Sequence, residues 1–66
     1  MSTTGKAAAA KELSAMGALI AIRDSVADLE GLSDADEMYE LASEVFENAR
    51  EAREDAAAAM ALRRVK

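Results

Sequence analysis

The chain has one convincing helix break between two long helix-forming stretches, and this break limits the folds that it can adopt. The break is the segment 30–34, with the sequence EGLSD, and proline is absent from the chain. Gly31 suits the left-handed conformation that often ends a helix. Ser33 and Asp34 are alternative caps for the next helix, because each is followed three positions later by an acidic residue.

The break predicts an all-α chain, folded as a single antiparallel two-helix hairpin domain over residues 1–66. We expect helix 1 over about residues 6–30, a turn over 31–33 and helix 2 over about 34–65, after a frayed start at 1–5. Alanine, leucine, glutamate, arginine, methionine and lysine dominate the composition, and all of them are good helix formers.

A hairpin of 66 residues has few means of stabilising itself. A domain this small buries only about 60% of the surface of its unfolded chain. Cysteine and histidine are absent, which excludes disulfides and removes the commonest transition-metal ligands and catalytic nucleophiles and bases. We therefore expect no enzyme activity, no cofactor, no metal site and no small-molecule substrate. Self-association remains, and we expect hairpins to pair into a four-helix bundle.

The composition also predicts a cytoplasmic location without membrane insertion. The most apolar window, residues 15–22, is too short to cross a bilayer. No small-residue cleavage site follows the first apolar stretch, so we expect no signal peptide. The lack of cysteine is typical of a reducing compartment.

Apolar residues at spacings of three and four predict how the two helices face each other. Gly17 lies inside this pattern and is interpreted as a point of close packing. The row predicted for helix 1 is Ala15, Leu19, Ile22, Val26 and Leu29. The row predicted for helix 2 is mostly alanine: Met38, Ala42, Val45, Ala49, Ala52, Ala56 and Ala59. Since alanine buries little area, helix 2 beyond Ala49 is expected to be weakly held.

Helix 1 carries a second apolar strip beside the first, formed by Leu13, Met16, Ile20 and Ala27. A helix in a two-helix hairpin needs only one apolar stripe. Leu13, Met16 and Ile20 are therefore candidates for an interface with another chain. The alternative is one wide buried face that long side chains cover.

Tyr39, Phe46 and Arg53 follow one another at intervals of seven along one edge of the helix 2 row. Aromatic residues and arginine are frequent anchors of protein interfaces, so these three are further interface candidates. The alternative is that they only close the edge of the hairpin core.

Acidic residues form an acidic stripe along helix 2, comprising Glu37, Glu40, Glu44, Glu47, Glu51 and Glu54. The stripe is interpreted as the solvated outer face, or alternatively as a surface for a basic partner or one that imitates nucleic acid. Residues 20–46 hold eight acids and one base, a net charge of −7, whereas the rest hold five acids and seven bases, a net charge of +2. This division suggests that two hairpins associate antiparallel, with each acidic turn beside the other's basic termini.

The segment 32–37, LSDADE, resembles the turn and second-helix start of the Rop-type plasmid RNA-binding proteins. The residues Leu41, Ala42, Val45, Ala49, Ala52 and Ala56 sit at offsets that resemble the second-helix core of that family. The resemblance covers about a third of the chain, and it implies an antiparallel four-helix dimer that grips paired RNA loops with its first helices. The first helix departs from the family pattern, because it has no aromatic residue and its Lys6, Lys11 and Arg23 do not form one basic face.

These observations favour a small non-enzymatic protein–protein interaction or assembly module that acts through a dimerising helical hairpin. A regulator, a co-chaperone or a phage- or plasmid-type accessory protein would have this form. The expected partner is a second copy or another helical protein. Two alternatives stay open: a Rop-like RNA-binding regulator and an acidic inhibitor that imitates nucleic acid.

Overall fold

A computed structural model describes residues 3–27 and 29–64 as two long helices connected by a short irregular segment. Helix α1 spans Thr3–Val26 and helix α2 spans Ala35–Arg64, with a single 3₁₀ turn at Leu29–Gly31 between them. The helices pack side by side and antiparallel, and no strand occurs in the described parts of the chain. The prediction of an all-α helical hairpin is confirmed.

The helix ends differ from the predicted ends by a few residues. Helix α1 already includes Thr3–Gly5, a segment predicted to be frayed, and it ends at Val26 instead of near residue 30. The connection is accordingly longer than the predicted turn at 31–33. Gly31 lies in the 3₁₀ turn, and no described glycine has a positive φ, so the expected left-handed cap is wrong. The predictions for residues 1, 2 and 65 lie outside the described residues.

Asp34 is the residue that caps helix α2. Its carboxylate accepts a hydrogen bond from the backbone N–H of Glu37 at 2.8 Å, and its carbonyl accepts the first helical bond, from the N–H of Met38, at 3.1 Å. The Glu37 carboxylate reaches back to Ser33 and accepts bonds from both its N–H and its hydroxyl. The structure therefore selects Asp34, and places Ser33 just before the cap.

The contact between the helices is built from alanine. Every buried residue in the described parts of the chain is alanine: Ala8, Ala15, Ala18, Ala52 and Ala59. Half-buried residues complete the contact at heptad spacing, with Ile22 and Ser25 on α1 and Leu41, Val45, Asn48, Asp55 and Leu62 on α2. We call this contact the alanine seam. Small side chains let helix axes approach closely, but each buries little apolar area.

The alanine seam corrects the predicted faces of both helices. Of the predicted rows, the positions of Ala15, Ile22, Val45, Ala52 and Ala59 lie in the seam. The remaining predicted positions are exposed: Leu19, Val26, Leu29, Met38, Ala42, Ala49 and Ala56. Each helix is turned so that, among the described residues, only alanine is buried against its neighbour, and most of the large apolar residues are exposed. Gly17 is not a packing point either, because a Cβ atom built there meets nothing within 4 Å.

Enlarging a seam residue should destabilise the hairpin. We expect Ala52→Leu to lower the free energy of unfolding by about 1–3 kcal/mol, because added methylene groups force a closely packed contact apart. Ala61→Leu, at an exposed position of the same helix, is the matched control and should change it by less than about 0.5 kcal/mol. Urea unfolding followed by circular dichroism at one protein concentration compares them. Equal effects of the two substitutions would contradict the seam.

Removal of the Asp34 cap should cost about 1 kcal/mol of stability. Asp34→Ala abolishes the side-chain acceptor for the Glu37 N–H, whereas Asp34→Asn retains an acceptor and removes only the charge. The same unfolding measurement should place Asp34→Asn close to the parent chain. If the asparagine variant loses as much stability as the alanine variant, the charge and not the hydrogen bond supports this helix start.

Candidate protein-interaction face

One side of the hairpin is an open apolar groove that follows the line between the helices. Towards the chain termini the groove is about 250 Å³ in volume, and Met16 and Leu19 of α1 lie opposite Ala56 and Met60 of α2. Towards the turn it widens to about 540 Å³. Its lining there consists of Val26, Leu29, Leu32, Met38, Leu41, Ala42 and Val45. Leu19 and Val26 are seven residues apart, as are Ala42 and Ala49. The two parts therefore belong to one continuous face.

We call this side the apolar face, and it carries the large apolar side chains that the seam leaves exposed. Those at its centre are 42–56% exposed: Met16, Leu19, Val26, Leu29, Met38 and Met60. The small residues Ala42, Ala49 and Ala56 lie between them along α2 and are exposed as well. The Cα atoms of the hairpin extend over only 51 × 14 × 11 Å, a single layer of two helices. An exposed apolar surface of this length makes this side a candidate site for contact with another molecule.

Of the predicted interface residues, Met16 lines the groove, and the other five lie outside its lining. On α1 the predicted residues Leu13 and Ile20 are 74% and 41% exposed. On α2 Tyr39 and Phe46 are 76% and 66% exposed, so neither closes the edge of a core within the hairpin. Arg53 is exposed too, and it borders a small cavity that it shares with Phe46. Their part in an interface stays a prediction.

An ion pair spans the apolar face near the chain termini. The guanidinium of Arg63 donates two hydrogen bonds to the Glu12 carboxylate, at 2.7 Å from Nε and 2.5 Å from Nη2. These hydrogen bonds, helped by the positive charge, lower the pKa of Glu12 below its ordinary value, and the same contact raises the pKa of Arg63. Glu12 and Arg63 thus join α1 to α2 at one end of the groove.

The opposite side of the hairpin is polar. The Ser14 hydroxyl donates a 2.5 Å hydrogen bond to Asp55, and the Lys11 ammonium lies 3.7 Å from the same carboxylate. All six glutamates of the acidic stripe are exposed, and Glu47 pairs with Arg50 at 3.2 Å. Glu44 and Glu51 occupy the same side of α2 as Asp55, because they precede it by eleven and four residues. The hairpin therefore has one apolar and one acidic face.

Charge also changes along the length of the molecule. The antiparallel arrangement brings Lys6, Lys11, Arg63 and Arg64 to the end where the described parts of α1 begin and α2 finish. The turn end holds Asp24, Glu30, Asp34, Asp36 and Glu37. The prediction for Lys66 lies outside the described residues. The hairpin is an electrostatic dipole along its own axis.

Neither helix, over the described residues, is long and apolar enough to cross a membrane. Within residues 3–27 and 29–64, no group of acidic side chains is arranged to hold a metal ion. No family model matches the chain, and neither a curated protein nor a solved structure matches it. The resemblance to the Rop-type proteins therefore stays a prediction.

Four of the central residues of the apolar face, Leu19, Val26, Leu29 and Met38, were predicted from the sequence to lie in the hairpin core, whereas Met16 was predicted to lie in an interface. One signal in the sequence favours the observed arrangement. The observed α2 row includes Asn48 and Asp55, seven residues apart, and α1 offers Lys11 and Ser14 as the polar partners of Asp55. Polar residues that recur at heptad spacing can specify a helix contact when each has a partner.

The Glu12–Arg63 pair should make part of the stability depend on pH. Because the pKa of Glu12 is lowered in the folded state, its contribution is fully present above the ordinary glutamate pKa and is lost as pH falls below it. We expect Glu12→Gln to flatten this acid limb, measured as thermal midpoint against pH. Glu51→Gln, which removes an exposed charge of the acidic stripe, is the control. An unchanged acid limb in Glu12→Gln would show that the pair contributes nothing.

Proposed function

We propose that the protein is a non-enzymatic assembly module whose helical hairpin self-associates through the apolar face. The observation that carries this proposal is the difference in side-chain size between the buried residues of the alanine seam and the exposed residues of the apolar face. Among the described residues, the buried members of the seam are all alanine, whereas ten large apolar side chains are exposed. A chain that buried its largest residues within the hairpin would have no such surplus.

The energetics favour association. The buried core consists of alanines, and burying an alanine contributes much less than the roughly 1.5–3 kcal/mol of a large apolar side chain. The exposed parts of the ten large side chains together equal between five and six whole side chains. That surface is on the order of 1,000 Å², which is comparable to one partner's share of a standard protein interface.

The two nucleic-acid alternatives receive less support from the arrangement of charges. Lys11 is paired with Asp55 across the polar face, and Arg23 lies 3.8 Å from Asp24, so neither contributes to a separate basic surface. The acidic stripe is exposed, as a solvated outer face also requires. Gel-shift assays with structured RNA at low salt test the first alternative. Binding of a basic partner that is lost on changing Glu40, Glu44 and Glu47 to Gln tests the second.

An acidic residue in the middle of the apolar face should prevent association. Leu19→Asp places a charge beside the groove, and burial of an unpaired charge is strongly unfavourable. We expect at least a hundredfold weaker association by sedimentation equilibrium. Ala10→Asp is the matched control, since it adds the same charge to an exposed position of α1 away from the groove. A parent chain that stays monomeric, or a Leu19→Asp variant that associates like Ala10→Asp, would overturn the proposal.

A further inference from the structure

We infer that the occupant of the apolar face is a second copy of this chain, placed antiparallel so that Ala49 of α2 meets Ala49 of the other copy on a two-fold axis. The inference rests on the proposed function and adds the orientation and the register of the two copies. It depends on how residues of the apolar face are ordered along α2 and on how charge is distributed along the hairpin.

Two pairs of residues on the face of α2 are placed symmetrically about Ala49. Ala42 lies seven residues before it and Ala56 seven residues after it. Met38 lies eleven residues before it and Met60 eleven residues after it. In an antiparallel two-fold pair, a residue before the axis meets the residue equally far beyond it in the other copy. Ala42 would then face Ala56, and Met38 would face Met60, so that small residues meet small ones and large residues meet large ones.

The contacts within the hairpin show which part of α1 lies level with Ala49. Asp55 contacts Lys11 and Ser14, and Arg63 contacts Glu12. Moving towards the turn as far as Ala49 leads along α1 to about Ala18 from the first contact and to Val26 from the second. An axis through Ala49 therefore crosses the stretch of α1 that carries Leu19 and Val26 of the apolar face.

Charge supports the antiparallel orientation independently. The turn end of each hairpin is acidic, and the opposite end carries Lys6, Arg63 and Arg64. An antiparallel pair places each acidic end beside a basic end, whereas a pair with both turns together would double the acidic charge at one end. Ala42, Ala49 and Ala56 would also let the two α2 helices approach closely.

Disulfide trapping tests the register directly, because the chain contains no cysteine of its own. The sites Ala42, Ala49, Ala56 and Ala61 are all exposed in the hairpin, so cysteine at any of them leaves the seam intact. A disulfide needs Cα atoms within about 7 Å. Single-cysteine chains are oxidised at equal concentration, and covalent dimers are quantified on non-reducing gels, with sedimentation of the parent chain alongside.

We expect Ala49→Cys to form covalent dimers at least ten times faster than Ala42→Cys or the outward-facing control Ala61→Cys. An equimolar mixture of Ala42→Cys and Ala56→Cys should form mixed dimers, identified by mass, faster than either forms with itself. If the three face variants each link to themselves equally, α2 pairs in parallel and the inference is overturned.

The outcomes separate this inference from the proposed function. A parent chain that sediments as a dimer without the Ala49→Cys preference overturns the register and leaves the proposed function standing. A parent chain that sediments as a monomer and gives no preferred disulfide overturns both. Ala49→Cys should also lose its faster disulfide formation when Leu19→Asp is added. This loss would show that the disulfide forms through the apolar face and not through random collision.

Discussion

The close contact of alanine with alanine along the middle of the hairpin determines the rest of the structure. Alanine permits two long helices to lie near each other over most of their length, and it contributes little hydrophobic energy for each residue. Most of the larger apolar residues occupy positions beside that contact, and those that belong to it, Ile22, Leu41, Val45 and Leu62, are only half-buried. The surface properties of the molecule follow from the small size of the residues in its interior.

Polar residues decide which side of the seam becomes apolar. Asp55 interacts with both Ser14 and Lys11 on one side, and the glutamates of α2 are solvated on that same side. The opposite side is left with methionine, leucine and valine around the groove. Rotation of α2 towards its larger apolar row would turn Asp55 away from α1 and separate it from Ser14 and Lys11. A few polar contacts therefore orient helices whose apolar contacts alone would permit more than one arrangement.

Most of the fold could be predicted from the sequence, because its elements depend on local signals. The absence of proline, the helix-forming composition and the cap at Asp34 act within a few residues of where they occur. The faces by which the helices contact each other were harder to predict. On α2, heptad spacing alone fits two neighbouring rows of residues, and both rows include Val45, Ala52 and Ala59. The choice between those rows depends on a contact between residues 41 positions apart, Ser14 and Asp55, which no periodicity contains. Because of the same ambiguity, Leu19 and Ala49 were predicted to lie in the core and were not among the predicted interface residues.

The alanine seam has a consequence for the amount of protein that a cell must hold. In the proposed assembly, much of the free energy that keeps the chain folded comes from association, which follows mass action. A tenfold fall in concentration then lowers the stability of the folded assembly by about 1.4 kcal/mol per dimer. Below the dissociation constant, the unprotected chain becomes accessible to proteases. Abundance and lifetime would be coupled, so that a scarce protein is cleared faster than a plentiful one.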